Sequence, residues 1–260
     1  MKRTTKIVHL CLSEAYSTKI FNIMAGKNID EGEVLMLQGF PFHMKQPKER
    51  MGRVFEKYET VLRKALGDQI VAVCQMGSGA IPGMVGSPMT DILLAMKNYP
   101  PTKDQIDQLK QLNIVFMGDG SSPHDPNDTW FHNVDFPSQE DFEEFMINGK
   151  FPPAGHLGRL SMHFVHFQNP WIESALCFVE YLSQNKEAFS RYRDVKIEGA
   201  TLQTGPMETK EDNTYGLPSS FVNYKIHKTA VVKELFEESK IWMEAGNFKL
   251  PQAFIDVDQN

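Results

Sequence analysis

The amino-acid sequence predicts an α+β fold, with a mixed sheet flanked by helices and a helical C-terminal part. Two observations support this prediction. Between residues 69 and 118, short runs rich in β-branched residues alternate with an amphipathic helix, and from residue 170 onward the apolar residues recur at helical spacing. The chain has 260 residues, 41% of them hydrophobic, which suffices for one substantial core.

Bulk composition narrows the class of protein. The formal net charge of −6 argues against a general nucleic-acid-binding protein but is compatible with a local basic patch. The three cysteines lack CxxC spacing, which favours buried, reduced thiols. No apolar run is long enough to span a bilayer, and the N-terminal run IVHLCL is too short for a signal peptide. We therefore expect a cytoplasmic protein with no membrane partner.

The N-terminal segment, residues 1–48, is predicted to form an extension packed on the core. KIVHLCL and EVLMLQGF have the composition of short strands, and PFHMKQPKER is a polar connector broken by prolines. Apolar residues at helical spacing then predict a helix over residues 49–66, which Gly67 ends.

The main domain is predicted to span residues 49–246, with a polar loop inserted at 203–219 and a tail at 247–260. Thr102 is a suitable N-cap for its amphipathic helix. After residue 66 the predicted strands cover 69–76, 89–96, 113–118, 129–136 and 159–167, and the predicted helices cover 102–112, 138–146, 170–184, 186–200 and 221–245.

A loop rich in glycine and proline, residues 77–88, joins the first two strands of this domain. It places Gly77 and Ser78 at the same edge of the sheet as Asp91, which opens the second strand. Backbone N–H groups at such a turn can face an anion, and the carboxylate can hold a metal, a hydroxyl or a cation. An ordinary hairpin connection with an incidental aspartate is the alternative, because glycine and proline are common turn formers.

Three residues and one segment are further candidates for a functional site, and each also has an ordinary structural explanation. His163 and His166 lie three residues apart on a predicted strand and therefore face opposite sides, so at most one faces a site. Glu180, in CFVEYL, lies either at a site or on the solvated side of its helix. The HDPND segment contains metal-ligand residue types but is typical of turns.

Three separated motifs resemble those of the GrpB (UPF0157) family, whose first motif contains a Gly-Ser pair, a Lys-Pro and an Asp. The motifs cover roughly residues 58–245 and read, in this chain, ALGDQIVAVCQMGSGAIPGMVGSPMTDILLAM, MHFVHFQNPWIESALCFVEYLSQNKEAFSRYRDVK and YKIHKTAVVKELFEESKIW. The resemblance implies a nucleotidyltransferase-like fold. In that superfamily the Gly-Ser pair and two acids on the next strand bind metal ions and a nucleoside triphosphate.

This sequence departs from the family pattern mainly by losing basic residues. The second acid of the superfamily corresponds to Leu93, and the aspartate of a later motif corresponds to Glu180. Residues that stand where the family has His, Ser or Thr, Lys, His and Arg are Gln75, Gly79, Ser87, Ser161 and Val179. The resemblance therefore implies a pocket poor in cations, which suits an amine or guanidinium better than a triphosphate.

These departures fit a fungal branch that resembles the GrpB family, the arginine-containing cyclodipeptide synthases, which join two amino acids from aminoacyl-tRNAs. The implied partners are aminoacyl-tRNA and amino-acid moieties that include arginine, with no metal and no cofactor. Residues implied in catalysis are Ser78, Asp91, His163, Glu180 and Tyr181. Residues implied in substrate binding are Gln75, Gly77, Gly79, Tyr192, Lys196 and Lys228.

Aminoacyl-tRNA binding would require a basic patch for the acceptor stem. Its candidates are Lys57, Arg63, Lys64, Arg191 and Arg193. Two other classes remain open. One is a nucleotidyl transferase that uses Mg²⁺, and the other is a non-catalytic descendant that binds a small molecule or a partner. The sequence leaves the second amino acid and the oligomeric state open.

Overall fold

A computed structural model describes most of the predicted domain. The described residues are 7–8, 34–37, 40–43, 48–86, 89–112, 114–119, 129–133, 159–201 and 219–255. Within them the strands are β1 (Ile7–Val8), β2 (Val34–Leu37), β3 (Phe40–His43), β4 (Ile70–Met76), β5 (Met89–Met96), β6 (Ile114–Asp119), β7 (Thr129–Asn133) and β8 (Arg159–His166). The helices are α1 (Lys48–Leu66), α2 (Gly77–Ala80), α3 (Lys103–Gln111), α4 (Trp171–Gln184), α5 (Lys186–Thr201), α6 (Ser219–Trp242) and α7 (Gln252–Ile255).

The main sheet has five strands in the order β4-β5-β8-β7-β6. Strand β5 is antiparallel to β4 and parallel to β8, whereas β7 is antiparallel to both of its neighbours. In this register Asp91 pairs with Met76 on one side and with Ser161 on the other. The fold is therefore α+β with a mixed sheet, as predicted.

One face of the sheet is covered by α1 and α3. Residues at alternate positions of β5 point to this face, including Ile92 and Leu94, and they pack against Tyr58 and Leu62 of α1. All four side chains are fully buried. Helix α3 begins with the predicted N-cap: the Thr102 hydroxyl accepts a hydrogen bond from the Gln105 backbone, and the Gln105 side chain accepts one from the Thr102 backbone, which completes a capping box.

The other face is covered by α4 and by the segment that follows α6. Leu93 and Ala95 of β5 point to this face and pack against Ile172 of α4. Phe254 of α7 is also buried here, with Phe248 and Leu250 partly buried beside it. Part of the predicted tail, residues 248–255, thus contributes to the core.

Helices α4, α5 and α6 pack together as the predicted helical C-terminal part. The ring of Phe178 stacks on Phe236 at 4.7 Å between centroids and meets Tyr192 edge-on at 5.9 Å. Gly199 allows a close approach of α5 and α6, because a Cβ atom there would lie 3.1 Å from Cδ2 of His227. None of the helices described is long and apolar enough to cross a membrane.

One prediction for the N-terminal segment was wrong. EVLMLQGF is not a single strand, because Leu37 pairs with Phe40 in an antiparallel hairpin, and Phe40–His43 forms β3 rather than a connector. The predicted helix at 138–146 lies outside the described residues, as does the loop insertion at 203–219 except for its last residue, Ser219, which begins α6.

Candidate functional site

The Gly-Ser turn lies directly against Asp91. Strand β4 ends at Met76, and Gly77 then takes a φ of +63°, which favours glycine over residues with a side chain. A Cβ atom at position 77 would lie 2.5 Å from Oδ2 of Asp91 and 2.9 Å from its Cγ. Two features, the left-handed backbone and the adjacent carboxylate, thus require glycine here. The structure brings together Gly77, Ser78 and Asp91 as the sequence predicted.

The negative charge of Asp91 acts on two buried tyrosines from different helices. Tyr192 of α5 and Tyr224 of α6 are 5% and 2% exposed. Burial raises the pKa of each phenol, and the negative charge of Asp91 raises both further. The two phenols are therefore neutral at physiological pH and can act only as hydrogen-bond donors or acceptors.

Two lysines accompany these tyrosines, each one helical turn after its tyrosine. The Nζ atom of Lys196 lies 4.9 Å from the ring centroid of Tyr192, and that of Lys228 lies 5.1 Å from the centroid of Tyr224. Lys196 is only 1% exposed. Burial lowers its pKa well below the ordinary value, and the charge of Lys228 lowers it further, whereas Asp91 acts in the opposite direction. We call Asp91, Tyr192, Lys196, Tyr224 and Lys228 the Asp91 cluster.

The expectation of a pocket poor in cations therefore needs correction. The loop residues lost their basic character, but Lys196 interacts electrostatically with Asp91 from a helix more than 100 residues further along the chain, and Lys228 lies near enough to lower the pKa of Lys196. Tyr224 is a member of the cluster that was absent from the predicted site residues. Its signal is the repeated spacing Tyr-x-x-x-Lys, which α5 and α6 share.

Gln75 and Gly79 stabilise the turn. The side chain of Gln75 donates a hydrogen bond from Nε2 to the Gly79 carbonyl at 3.1 Å. Strand alternation places Gln75 on the side of Val73, which packs towards α1, and so on the sheet face opposite Asp91. The backbone carbonyl of Ser78 accepts a hydrogen bond from the amide of Ile81, and the residue is half-buried.

Tyr181 belongs to a different polar group. Its hydroxyl donates to Oε2 of Glu238 at 2.9 Å, and Nη1 of Arg191 donates to the other carboxylate oxygen of Glu238 at 2.6 Å. Burial and the bond to Glu238 raise the pKa of Tyr181 to about 12. Burial alone would raise the pKa of Glu238, but hydrogen bonds from Arg191 and Tyr181 lower it overall. This network joins α4, α5 and α6.

Glu180 and His163 also have local contacts. Glu180 is exposed on α4 and accepts a hydrogen bond from the Gln184 side chain. His163 is half-buried on β8, where it pairs with Leu93, and its ring lies 5.2 Å from that of Trp171. By strand alternation its side chain lies on the same sheet face as Asp91, because His163 is two residues after Ser161, the residue of β8 that pairs with Asp91.

Comparison with known proteins decides the family. The family model described as GrpB protein matches residues 41–238, well over half of the chain. The chain belongs to the GrpB family. The sequence resemblance is thereby confirmed, and the antiparallel β4–β5 pair that carries the Gly-Ser turn and Asp91 agrees with the nucleotidyltransferase-like fold implied for GrpB proteins.

Known GrpB relatives are distant. The chain is 23% identical over 170 residues to the glutamate-rich protein GrpB of Alkalihalophilus pseudofirmus, covering 65% of this chain and 82% of that protein. It is 22% identical over 201 residues to the UPF0157 protein YqkA of Bacillus subtilis, covering 76% of this chain but only 47% of that protein.

Two solved structures are similar to parts of this GrpB protein. The conserved protein GrpB from Enterococcus faecalis aligns with 74% of this chain and 94% of its own, at 18% identity and a TM-score of 0.49. A cytoplasmic RNA terminal U-transferase aligns with 82% of this chain and 53% of its own, at 10% identity and a TM-score of 0.41.

Only one of the two acidic metal-ligand positions of the nucleotidyltransferase superfamily is acidic in this chain. Asp91 is a carboxylate on β5, but Leu93, at the position of the second acid, is fully buried in the apolar face beneath α4. Within the described ranges, no group of three or more His, Cys, Asp or Glu side chains is arranged to hold a metal ion.

Several residues of the predicted basic patch are engaged by acids in this GrpB protein. Arg63 forms an ion pair with Glu59 at 2.9 Å, and Arg193 forms one with its neighbour Asp194 at 2.7 Å. Arg191 is held by Glu238 in the network described above. Lys57 and Lys64 are exposed on α1.

Proposed function

We propose that the protein is a transferase of the cyclodipeptide-synthase type, which forms an arginine-containing diketopiperazine from two aminoacyl-tRNAs. The observation that supports this most is the composition of the Asp91 cluster. It combines one carboxylate with two neutral phenols and two lysine side chains. Leu93, which is buried, stands at the position of the second metal ligand. Aminoacyl transfer needs a carboxylate for an amine, donors for a carbonyl and a proton acceptor, and it does not need a pair of metal ions.

The chemistry balances with residues of this chain and the two substrates alone. The α-amine of one aminoacyl group attacks the ester carbonyl of the other, so that a C–N bond forms and the C–O bond to the tRNA breaks. The amine proton passes to the departing 3′-hydroxyl. A second, intramolecular attack by the remaining α-amine closes the six-membered ring and releases the second tRNA in the same way.

Within this proposal Asp91 accepts a hydrogen bond from the attacking α-amine or pairs with the guanidinium of arginine, since a carboxylate suits both. Ser78, on the adjoining turn, either orients the ester carbonyl or accepts the aminoacyl group before the amine attacks. Tyr192 and Tyr224 are neutral and lie within the field of Asp91, and in this proposal one of them donates to a developing oxyanion. The hydroxyl of Tyr181, for which a proton relay was expected, bonds to Glu238 instead.

The test is expression in a bacterial host followed by mass spectrometry of the medium. We expect a new arginine-containing diketopiperazine from the wild type and its loss in Asp91→Asn, which keeps the shape of the side chain. Asp68→Asn is the matched control, because Asp68 is exposed in the turn after α1. No such product, together with no retention of tRNA by the purified protein, would remove this proposal.

Nucleotidyl transfer is a second candidate, favoured by one specific observation. Lys196 and Lys228 place positive charge near Asp91 and the Gly-Ser turn, where the nucleotidyltransferase fold accommodates a triphosphate. In this second candidate function Asp91 would bind Mg²⁺. Titration of nucleoside triphosphates with and without Mg²⁺ tests it, and no binding in either series removes it. If the protein forms no diketopiperazine and transfers no nucleotide, and Asp91→Asn still binds a ligand as the wild type does, the protein is a non-catalytic binder.

A further inference from the structure

We propose that Lys196 is the base of the Asp91 cluster, the group that takes the proton from the attacking α-amine and gives it to the departing 3′-oxygen. The inference deepens the proposed function and rests on it, because aminoacyl transfer needs a proton acceptor. In each of the two transfers a C–N bond forms, the C–O bond to the tRNA breaks, and one proton moves from nitrogen to oxygen. Lys196 holds this proton between the two events and ends each transfer in the state in which it began.

The burial of the Lys196 amine is the first argument. Its side chain is 1% exposed. Within the part of the chain that the structure describes, the amine makes no hydrogen bond and no ion pair, and Nζ lies 4.9 Å from the ring centroid of Tyr192. A buried ammonium group without a hydrogen-bonded anion is costly, so a lysine in this environment gives up its proton more readily. Lys196 therefore offers a lone pair in a pH range where an exposed lysine is protonated.

A second cation next to Lys196 is the second argument. After burial, the positive charge of Lys228 is the larger cause of the lowered pKa of Lys196, and the charge of Asp91 opposes it. Lys228 is the less buried of the two lysines. A desolvated lysine beside another cationic group is one way in which proteins activate an amine. The two lysines of the cluster thus have different roles, and the buried one is suited to accept a proton.

The remaining groups of the Asp91 cluster are less suited to this role. Burial and the charge of Asp91 raise the pKa values of Tyr192 and Tyr224, so both phenols keep their protons. A carboxylate binds an amine or a guanidinium well, but carboxylates are ordinarily far weaker bases than amines. In this proposal Asp91 therefore holds the substrate and Lys196 receives the proton.

The position of Lys196 is the third argument. Asp91 acts electrostatically on Lys196, so a substrate amine held by the carboxylate would lie in the same part of the domain as the lysine. A base must reach the proton directly or through one water molecule. Gly199, three residues after Lys196, allows α5 to approach α6 until a Cβ atom there would lie 3.1 Å from Cδ2 of His227. This close packing holds the segment that carries the amine in place before a substrate arrives.

The first test is the rate of diketopiperazine synthesis from purified aminoacyl-tRNAs by the wild type, Lys196→Met and Lys196→Arg. Methionine has a similar length and no basic group, and arginine keeps a positive charge but does not release its proton. Lys186→Met is the matched control, since Lys186 is exposed at the start of the same helix. Thermal unfolding establishes that each variant is folded, and Lys196→Met decides the result if Lys196→Arg does not fold.

We expect kcat to fall about 10²–10⁴-fold in Lys196→Met, the usual contribution of a general base, with little change in KM. Lys196→Arg should show the same loss, because a positive charge at this position does not replace a proton acceptor. The control should keep the kcat of the wild type. Recovery of full kcat in Lys196→Arg would show that the charge matters rather than the lone pair, and it would overturn the proposal.

The second test reads the protonation state of Lys196 without turnover. In protein labelled with ¹³C and ¹⁵N at lysine, the side-chain NMR signal that is missing from Lys196→Met belongs to Lys196. We expect this signal to titrate at a clearly lower pH than those of exposed lysines such as Lys186, because burial and Lys228 disfavour the ammonium form. Titration together with the exposed lysines would overturn the proposal whatever the activity.

The two tests separate failure of this inference from failure of the proposed function. If the wild type forms the diketopiperazine and folded Lys196→Met forms it at the same kcat, the role of Lys196 is wrong and the function stands. If the wild type forms no diketopiperazine, the proposed function fails and the catalytic role of Lys196 fails with it, even where the NMR titration shows a neutral amine.

Discussion

Gly77 lies so close to the carboxylate of Asp91 that a Cβ atom at position 77 would be 2.5 Å from Oδ2. The end of β4 and the start of β5 are therefore in close contact, and the carboxylate has a fixed position relative to the Gly-Ser turn. Because the same glycine also has a φ of +63°, its replacement is opposed by two separate effects. The two effects can be measured independently, because the chain contains a second glycine that has only one of them.

Gly77→Ala is expected to destabilise the protein more than Gly83→Ala. Both glycines have positive φ, which costs about 1–2 kcal/mol for a residue with a Cβ atom, but Gly83 has no atom within 4 Å of the added Cβ. The close approach to Asp91 adds about 1–3 kcal/mol of overpacking at position 77 alone. Urea denaturation measures both variants.

The same measurement in an Asp91→Ala background completes a double-mutant cycle. The extra cost of Gly77→Ala over Gly83→Ala should decrease there but not vanish, because Oδ2 and Cγ of residue 91 are gone while its Cβ atom stays 3.0 Å from the new one. Equal costs for Gly77→Ala in both backgrounds would contradict the close approach of Gly77 to Asp91.

Lys196→Met is expected to raise the stability of the free protein near neutral pH. A methionine of similar length fills the space without the cost of burying an ammonium, so the gain is on the order of 1 kcal/mol. Thermal unfolding of the two proteins measures the difference.

The pH dependence of that gain has a definite sign. The pKa of Lys196 is lower in the folded protein than in the unfolded chain, so the unfolded chain binds more protons between these two values. Wild-type stability rises with pH in this window, and the advantage of Lys196→Met should shrink from neutral pH towards pH 10. The groups shown to act on Lys196, namely Asp91, Lys228 and the ring of Tyr192, are the same in both proteins. An advantage that stays constant with pH would contradict a depressed pKa.

Local features of the fold could be predicted from the sequence with success. The hydrophobic periodicity of α4 and the Thr102 N-cap involve residues a few positions apart, and both were found where predicted. The hairpin at Leu37 and Phe40 was missed because a two-residue connection interrupts the apolar run without a clear polar break.

The candidate site was only partly predictable for a physical reason. Gly77 and Asp91 belong to adjacent strands joined by one short loop, so their proximity follows from strand pairing. Lys196 and Lys228 were assigned to the site through the family resemblance, because the long-range packing that brings Lys196 near Asp91 does not follow from strand pairing or from any short loop. Tyr181 was assigned to the site, whereas its hydroxyl bonds to Glu238, a residue 57 positions away.

Tyr181→Phe is expected to lower the stability of the protein by about 0.5–1.5 kcal/mol, the usual net contribution of a hydrogen bond. The ring itself is retained and stays beside Trp242, at 5.8 Å between centroids. Glu238 keeps its bond to Arg191, so the effect should be smaller than for Glu238→Gln. Urea denaturation of both variants tests this order, and a larger effect for Tyr181→Phe would contradict the network.

The Glu238 network should also weaken in acid. The pKa of Glu238 is lowered in the folded protein, so its contribution is present above the unfolded value of 4.5 and is lost as the pH falls through the folded value. The stability difference between the wild type and Glu238→Gln should therefore diminish below about pH 4.5. The effect is small, because the ion pair with Arg191 is partly exposed to solvent.

Phe254→Ala is expected to destabilise the domain, although the residue lies only six positions from the C-terminal end of the sequence. Phe254 is 6% exposed and packs with Ala72 and Leu93 on the sheet face that α4 also covers. Phe→Ala substitutions in a core cost about 3–5 kcal/mol, and the cavity would lie directly beneath β5, which carries Asp91. Ile255→Ala is the matched control, because that neighbour is 48% exposed and should change stability by no more than about 0.5 kcal/mol. Urea denaturation of the two variants decides the role of the segment. Similar, small effects at both positions would mean that residues 248–255 add little to the core.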